Sequence, residues 1–199
     1  MKKTLALSLM FVVAATIANA QSFSLKAGFN QSDVIASPEP GNLFQPKQGF
    51  HAGIVINDLQ LSDKIGIQPE LLYSMQGFKV GGVGNVGLHY IQAPVMAKLQ
   101  LHDKFALLVG PQVSYLANAR IGVMNDLFSV SYDNVFRKVD VSGVAGVEIK
   151  VTDGMSLGGR YQLGFNDINK DFKISNSLNF SDVFQLRNSG FQAYVSYKF

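Results

Sequence analysis

The sequence has no cysteine and no tryptophan, and only 16% of its 199 residues are charged. Without cysteine there is no disulfide framework, no thiolate metal site and no lipid-modified N-terminal cysteine. Low charge combined with 47% hydrophobic residues excludes a disordered chain, which pairs low hydrophobicity with high charge. Also missing is an apolar run long enough to cross a bilayer as a helix, which takes about 20 residues. What the chain does have is Gly 19 and Phe 15, and a length that suits one domain or at most two.

The longest apolar run sits at the start. Lys2 and Lys3 precede an apolar stretch from Leu5 to Ala18, and Ala18-Asn19-Ala20 offers small residues around a cleavage point. This predicts a secretory signal peptide over residues 1–20, with the domain occupying 21–199. Two of the basic residues leave with it, so the apparent positive charge shrinks almost to nothing. No nucleic acid is expected as a partner.

Beyond residue 20 the hydrophobic period is two rather than 3.6, with Gly, Asn and Asp at the breaks. Eight alternating segments can be traced: 22–30, 49–59, 64–78, 89–101, 105–121, 137–151, 155–165 and 190–199. The last could begin near Val183, with a bulge at Asn188–Gly190 resetting its phase. Three connections are tight (60–63, 102–104 and 152–154). Four are long and rich in Gly, Asn, Ser and Asp (31–48, 79–88, 122–136 and 166–189). Strict alternation of short and long links on eight strands describes an eight-stranded antiparallel up-and-down β-barrel with one elaborated rim.

Whether that barrel holds lipid or ligand against its apolar face depends on the other face. The polar phase mixes glycines (Gly53, Gly110, Gly146, Gly158) with Glu70, Lys98, Asp140, Glu148, Lys150 and Arg160, as in a narrow lumen filled by side chains. Aromatic residues on the apolar phase gather at the strand ends: Phe29, Phe50, Tyr73, Tyr115, Phe165 and Phe191 toward the long links, and Phe23, Phe105, Tyr197 and Phe199 toward the short ones. Two such girdles mark membrane interfaces, so the expected class is an all-β transmembrane barrel in a bacterial outer membrane. Pro69, Pro94 and Pro111 fall inside strands of a closed sheet, where bulges or kinks are expected.

The six inward charges are the best-defined constellation, and a satisfied ionic network in a barrel without an apolar core is the expected role. If the 152–154 turn pairs Val151 with Met155, Arg160 lies opposite Gly146 and diagonal to Glu148. The second hairpin would similarly bring His51 near Glu70. Gly82-Val-Gly-Asn-Val-Gly87 fits a dinucleotide pattern, but a strand rather than a helix follows, so it reads as a glycine-rich outer loop. Ser32, Ser37, Ser129 and Ser131 fall in the predicted loops without a nucleophile elbow, and His51, His89 and His102 do not have metal-ligand spacing. No enzyme activity, cofactor or metal is expected.

Four blocks carry a resemblance: Gln68-Pro-Glu-Leu-Leu-Tyr-Ser74, Tyr90-Ile-Gln-Ala-Pro-Val-Met-Ala-Lys98, Gly110-Pro-Gln-Val-Ser-Tyr115 and Gly159-Arg-Tyr-Gln-Leu-Gly164. In order and spacing they resemble the "porin family" (PorT-like) outer-membrane barrels of Bacteroidota. The resemblance implies an outer-membrane location and eight strands, and says little about activity. The ending Tyr-Val-Ser-Tyr-Lys-Phe199 also looks like the C-terminal signal read by outer-membrane assembly machinery, with Tyr197 and Phe199 carrying it. The expected partners are outer-membrane lipid, that machinery and a surface partner met by the outer loops, and the barrel is expected to be a monomer. The expected function is structural or surface-interactive. A narrow channel is the alternative, with a secretion-accessory role or a loop-borne lipid-modifying enzyme behind it.

Overall fold

A computed structural model describes residues 22–37, 44–57, 59–81, 84–123, 128–131, 137–168, 173–175, 178–179 and 185–199. The expected signal peptide, residues 1–20, lies outside them. The described strands are β1 (Ser22–Ser37), β2 (Phe44–Asn57), β3 (Leu59–Gln60), β4 (Ile65–Val80), β5 (Gly84–His102), β6 (Phe105–Val123), β7 (Phe128–Ser131), β8 (Val139–Lys150), β9 (Met155–Gly164), β10 (Lys173–Ser175), β11 (Leu178–Asn179) and β12 (Gln185–Lys198). Eight of them form the wall in the order β1, β2, β4, β5, β6, β8, β9, β12, each antiparallel to its neighbours. β12 returns to pair with β1 from Ser24↔Lys198 to Ser37↔Gln185, which closes the sheet and removes its edges. The fold is the closed eight-stranded antiparallel barrel that the alternation predicts.

The three tight turns lie at one end. Val151 and Thr152 donate backbone N–H groups to the Met155 carbonyl, while Met155 N–H reaches Thr152 Oγ1 at 3.0 Å. At the same end Phe199 N–H bonds Phe23 O at 3.0 Å, fastening the last residue to the first strand.

At the other rim the strands run further than the sequence predicts. β1 continues to Ser37 and β2 begins at Phe44, so most of the expected 31–48 loop is paired strand. Gly84 to Gly87, expected in a glycine-rich loop, open β5 and pair with β4 and β6; Gly82 and Val83 lie outside the described residues. Small and polar residues here sit on strands whose pairing supplies the order that their composition does not.

The prolines do not introduce the bulges expected at them. Pro69 faces Val95 and, three residues on, Leu72 faces Gln92, so the register is unchanged across the seam. The same holds from Pro94↔Gln112 to Ala97↔Val109 around Pro111. A missing N–H interrupts a ladder without inserting a residue, and the three prolines lie on adjacent strands at one level. The bulges fall instead between Pro46 and His51, His89 and Tyr90, and Gln100 and His102. Nor does β12 reset its phase at Asn188–Gly190, because its register with β1 is continuous.

Through the middle of the wall burial alternates along the strands with the polarity inverted relative to a soluble core. Leu25, Phe50, Val109, Val147 and Tyr161 are exposed on the outside, while Lys26, His51, Gln112, Glu148 and Arg160 are buried inside. An apolar outer face over a polar interior is the transmembrane pattern. On β6 ten residues separate Phe105 from Tyr115. At a rise of ~3.4 Å per residue and a tilt of ~40° they span about 26 Å of the membrane normal, matching the height of an outer-membrane apolar band.

Candidate functional site in the barrel interior

The interior is organised as a cavity with three levels of side chains above it. At the turn end lies a polar cavity of about 540 Å³, lined by residues that include Ser24, Gln100, Lys98, Glu148, Ser156 and Ser196. Turn residues Asp63, Asp103 and Asp153 also border it, so it faces the short-turn side.

Above the cavity is the charged level. Glu70 of β4 accepts from Lys26 Nζ of β1 at 2.6 Å on one carboxylate oxygen and from Arg160 Nη1 of β9 at 2.7 Å on the other. Gln68 Nε2 adds a third bond at 2.9 Å, and Arg160 Nε donates to Gln192 Oε1. The Lys26 and Glu70 side chains are fully buried. A second pair joins Lys98 to Glu148 at 2.5 Å. Tyr194 of β12 ties the two together: its ring lies 4.0 Å from Lys26 Nζ, and its hydroxyl donates to Glu148 Oε2 at 3.2 Å.

Glycines make room for this cluster. A Cβ on Gly158 would lie 2.2 Å from the Tyr194 ring, and one on Gly146 2.6 Å from Arg160 Cβ. Desolvating these charges is expensive, and only near-complete mutual satisfaction offsets that.

An amide and hydroxyl layer follows. Gln76 and Gln92 both donate to Gln162 Oε1 at 3.3 Å, and Gln112 donates to Ser142 at 3.2 Å. Asn188 donates to Asp140 at 2.9 Å and to the Tyr90 hydroxyl at 3.2 Å. His51 shares its Nδ1 with Asn30 Oδ1, and Asn30 donates to Ser74 at 2.9 Å.

The outer level is apolar. Val34, Phe78, Val86, Leu88, Tyr90, Leu116, Ala119, Ile168 and Leu186 form one buried cluster. Ile168 follows β9 and is folded over the mouth by two backbone bonds, from Arg137 N–H to its carbonyl and from its own N–H to Leu186 O, each 2.8 Å. The expectation of an interior without an apolar core is therefore wrong at this end.

The predicted charges are distributed unevenly. Arg160 does stand opposite Gly146 in register, but its guanidinium reaches across the lumen to Glu70 rather than diagonally to Glu148. Glu148 is taken by Lys98 and Tyr194. His51 stands opposite Ser74, four residues from Glu70, and so serves Asn30 instead. Lys150, expected inside, is half-exposed at the rim and pairs with Asp153 at 2.8 Å. That ammonium holds the fully exposed Asp153 carboxyl below the usual carboxylate range. Asp140 is inside but bonds Asn188 and has no cation within ion-pair distance among the described residues.

Lys26, Tyr194 and Gln192 were missed as members of the cluster. All three occupy the polar phase of their strands, so the signal was present. Lys26 meets Glu70 past the intervening strand β2, beyond the reach of register reasoning, whereas Gln192 stands directly opposite Arg160 and Tyr194 lies diagonal to Lys26 on the neighbouring strand.

Ser32, a candidate loop serine, lies within β1, is buried and bonds the Lys47 and Gly77 carbonyls. The three histidines are dispersed: His51 inside, His89 bonded to Tyr73 and His102 at the start of a turn. Among the described residues no three His, Asp or Glu side chains gather where they could hold a metal.

The comparisons agree with this geometry. The family model described as "Outer membrane protein beta-barrel domain" matches residues 19–170. Among solved structures, the chain is similar to Neisserial surface protein A, at 16% identity and a TM-score of 0.59, over 89% of this chain and 97% of that one. It is also similar to Ail, the attachment invasion locus protein of Yersinia pestis, at 12% identity and a TM-score of 0.50, over 89% and 98% of the two chains. At such identities the likeness concerns the fold alone. No curated protein sequence matches the chain.

Proposed function

Because the chain belongs to the outer membrane protein beta-barrel domain family and resides in the bacterial outer membrane, we propose that it is a plugged barrel with a structural and surface-interaction role. One observation carries this reading. The Lys26–Glu70–Arg160 cluster, the glutamine layer and the apolar cluster around Leu88 and Leu116 occupy successive levels of the lumen, and each of these residues is almost fully buried. Eight strands enclose a space that side chains just fill. The four sequence blocks described above support a place among the PorT-like barrels of Bacteroidota. On this reading Tyr197 and Phe199 are offered to the assembly machinery, the outer connections to a surface partner, and no catalytic step is assigned.

A narrow channel is the second reading, favoured by the cavity of about 540 Å³ at the turn end. That cavity supplies only part of a path, because its inner wall includes Gln68 and Glu148, which belong to the charged level. Planar-bilayer recording separates the two. The plugged barrel is expected to give no steady single-channel currents at any holding potential; reproducible ohmic steps from the purified protein would overturn it.

A further inference from the structure

Tyr73, Ile91 and Tyr115 lie side by side on β4, β5 and β6, in the aromatic row nearest the outer rim. Above them the registers place His89 opposite Met75 and Asn118, Gly87 opposite Gly77 and Arg120, and Asn85 opposite Lys79 and Gly122. Cross-strand partners share a face of the sheet. Arg120 and Lys79 are exposed, whereas Ala119 and Phe78 beside them are buried in the lumen, so both cations stand on the outside.

A third cation joins them from β2. Lys47 Nζ lies 3.4 Å from the Val86 carbonyl and 3.3 Å from where a Cβ on Gly87 would stand. Its ammonium therefore rests over the outward side of Gly87, directly across from Arg120. Any larger residue at 87 would displace it. His89, two residues below, is held by the Tyr73 hydroxyl at 2.5 Å. Among the described residues no carboxylate lies on β5 or β6, and none on β4 above Glu70. Those of the outer half are Asp33, on the outward phase of β1 with its Oδ1 on the Val34 amide, Asp140 inside the lumen and Asp167 bonded to the Leu186 backbone.

Depth identifies what such a patch meets. At ~3.4 Å per residue and ~40° tilt, each residue climbs about 2.6 Å along the membrane normal. His89 then lies about 5 Å above the Tyr73–Ile91–Tyr115 row, Gly87 and Arg120 about 10 Å, and Lys79 about 15 Å. The polar band on each side of the hydrocarbon is only about 5–8 Å deep, so the patch begins within it and continues just beyond. A cation cluster at this height faces the phosphorylated sugars of an outer-leaflet glycolipid, and Arg and Lys are the residues that bind phosphate by charge-assisted bonds.

We propose that Lys47, Lys79 and Arg120 form a binding site for a phosphate of the outer-leaflet glycolipid, with Gly77 and Gly87 keeping the sheet bare beneath it. The site rests on the orientation that puts the short turns in the periplasm, and is independent of whether the lumen conducts.

Native mass spectrometry of the folded, detergent-solubilised protein tests it, using diphosphorylated lipid A, enzymatically dephosphorylated lipid A and phosphatidylglycerol as probes. The double variant Lys79→Gln/Arg120→Gln leaves Lys47 and its carbonyl contact in place. It should weaken lipid A binding about tenfold or more, the scale of losing two charge-assisted contacts. Lys64→Gln/Lys104→Gln on the turn side removes the same charge and should leave binding unchanged. Dephosphorylated lipid A should bind the native protein no better than lipid A binds the Lys79/Arg120 variant. Equal loss in both doubles, full retention in the first, or equal preference for phosphatidylglycerol would each overturn the proposal. Urea midpoints of both doubles within error of the native protein exclude misfolding as the cause.

Discussion

Replacing Glu70 by Gln removes the one anion that holds two buried cations. Its oxygens lie 2.6 Å from Lys26 Nζ and 2.7 Å from Arg160 Nη1, with all three side chains at most 2% exposed. Breaking a buried ion pair by removing one partner costs about 3–5 kcal/mol, because the remaining charge stays desolvated. Two cations are stranded here, but the Tyr194 ring 4.0 Å from Lys26 retains about 1 kcal/mol of cation–π attraction. A net loss of about 4 kcal/mol follows, which at a slope of about 2 kcal/mol per molar lowers the urea midpoint by about 2 M. With no tryptophan in the chain, unfolding from lipid vesicles is best followed by far-ultraviolet circular dichroism and by heat-modifiable gel mobility. Glu148→Gln is the internal comparison. Its partner Lys98 is 30% exposed beside the aqueous cavity, so the stranded ammonium can hydrate and the loss should be about 1–2 kcal/mol. The triple change Lys26→Met/Glu70→Leu/Arg160→Met removes every charge together and should recover most of the loss. If Glu70→Gln is no more costly than Glu148→Gln, or if the triple variant is as unstable as the single one, the three-member cluster does not govern interior stability.

Three further outcomes follow from the same geometry. Val109 lies on the outer face of β6, four residues from Phe105 and six from Tyr115, so Val109→Arg should destabilise the barrel in lipid by about 2–4 kcal/mol, read as a lowered urea midpoint. Gly158→Ala places a methyl 2.2 Å from the Tyr194 ring and should lower stability by about 1–3 kcal/mol. In a Tyr194→Ala background the same change should have almost no effect, and additive losses in that double-mutant cycle would show that the ring does not lie over Gly158. Asp153 is fully exposed in its pair with Lys150, so Asp153→Asn should leave the urea midpoint unchanged; a measurable drop would mean the turn-end pair does more than neutralise a surface charge.

The uneven legibility of this molecule has a single physical origin. Alternation is a property of one strand, so the inward phase of Glu70, Asp140, Glu148 and Arg160 could be read from sequence, as could the lipid-facing phase of Leu25, Val109 and Tyr161. Register is a property of two neighbouring strands, and the Val151–Met155 turn was enough to set Arg160 opposite Gly146. The identity of a charged partner depends on the whole circumference. Glu70 sits on β4 and Arg160 on β9, which never pair, and only closure of the ring brings their side chains to 2.7 Å. The apolar plug hid for a related reason. Leu88, Leu116, Val34 and Leu186 come from four separate strands, and one apolar residue in a polar phase looks like noise until the ring gathers several at one level. The bulge between His89 and Tyr90 shifts the register against β6 by one, bringing Leu116 rather than Ala117 opposite Tyr90, and a one-residue slip of this kind exchanges the two faces. The polar phase of a small barrel therefore predicts the composition of its interior well and its wiring poorly, and partners should be sought among all inward residues at the same height rather than among those nearest in register.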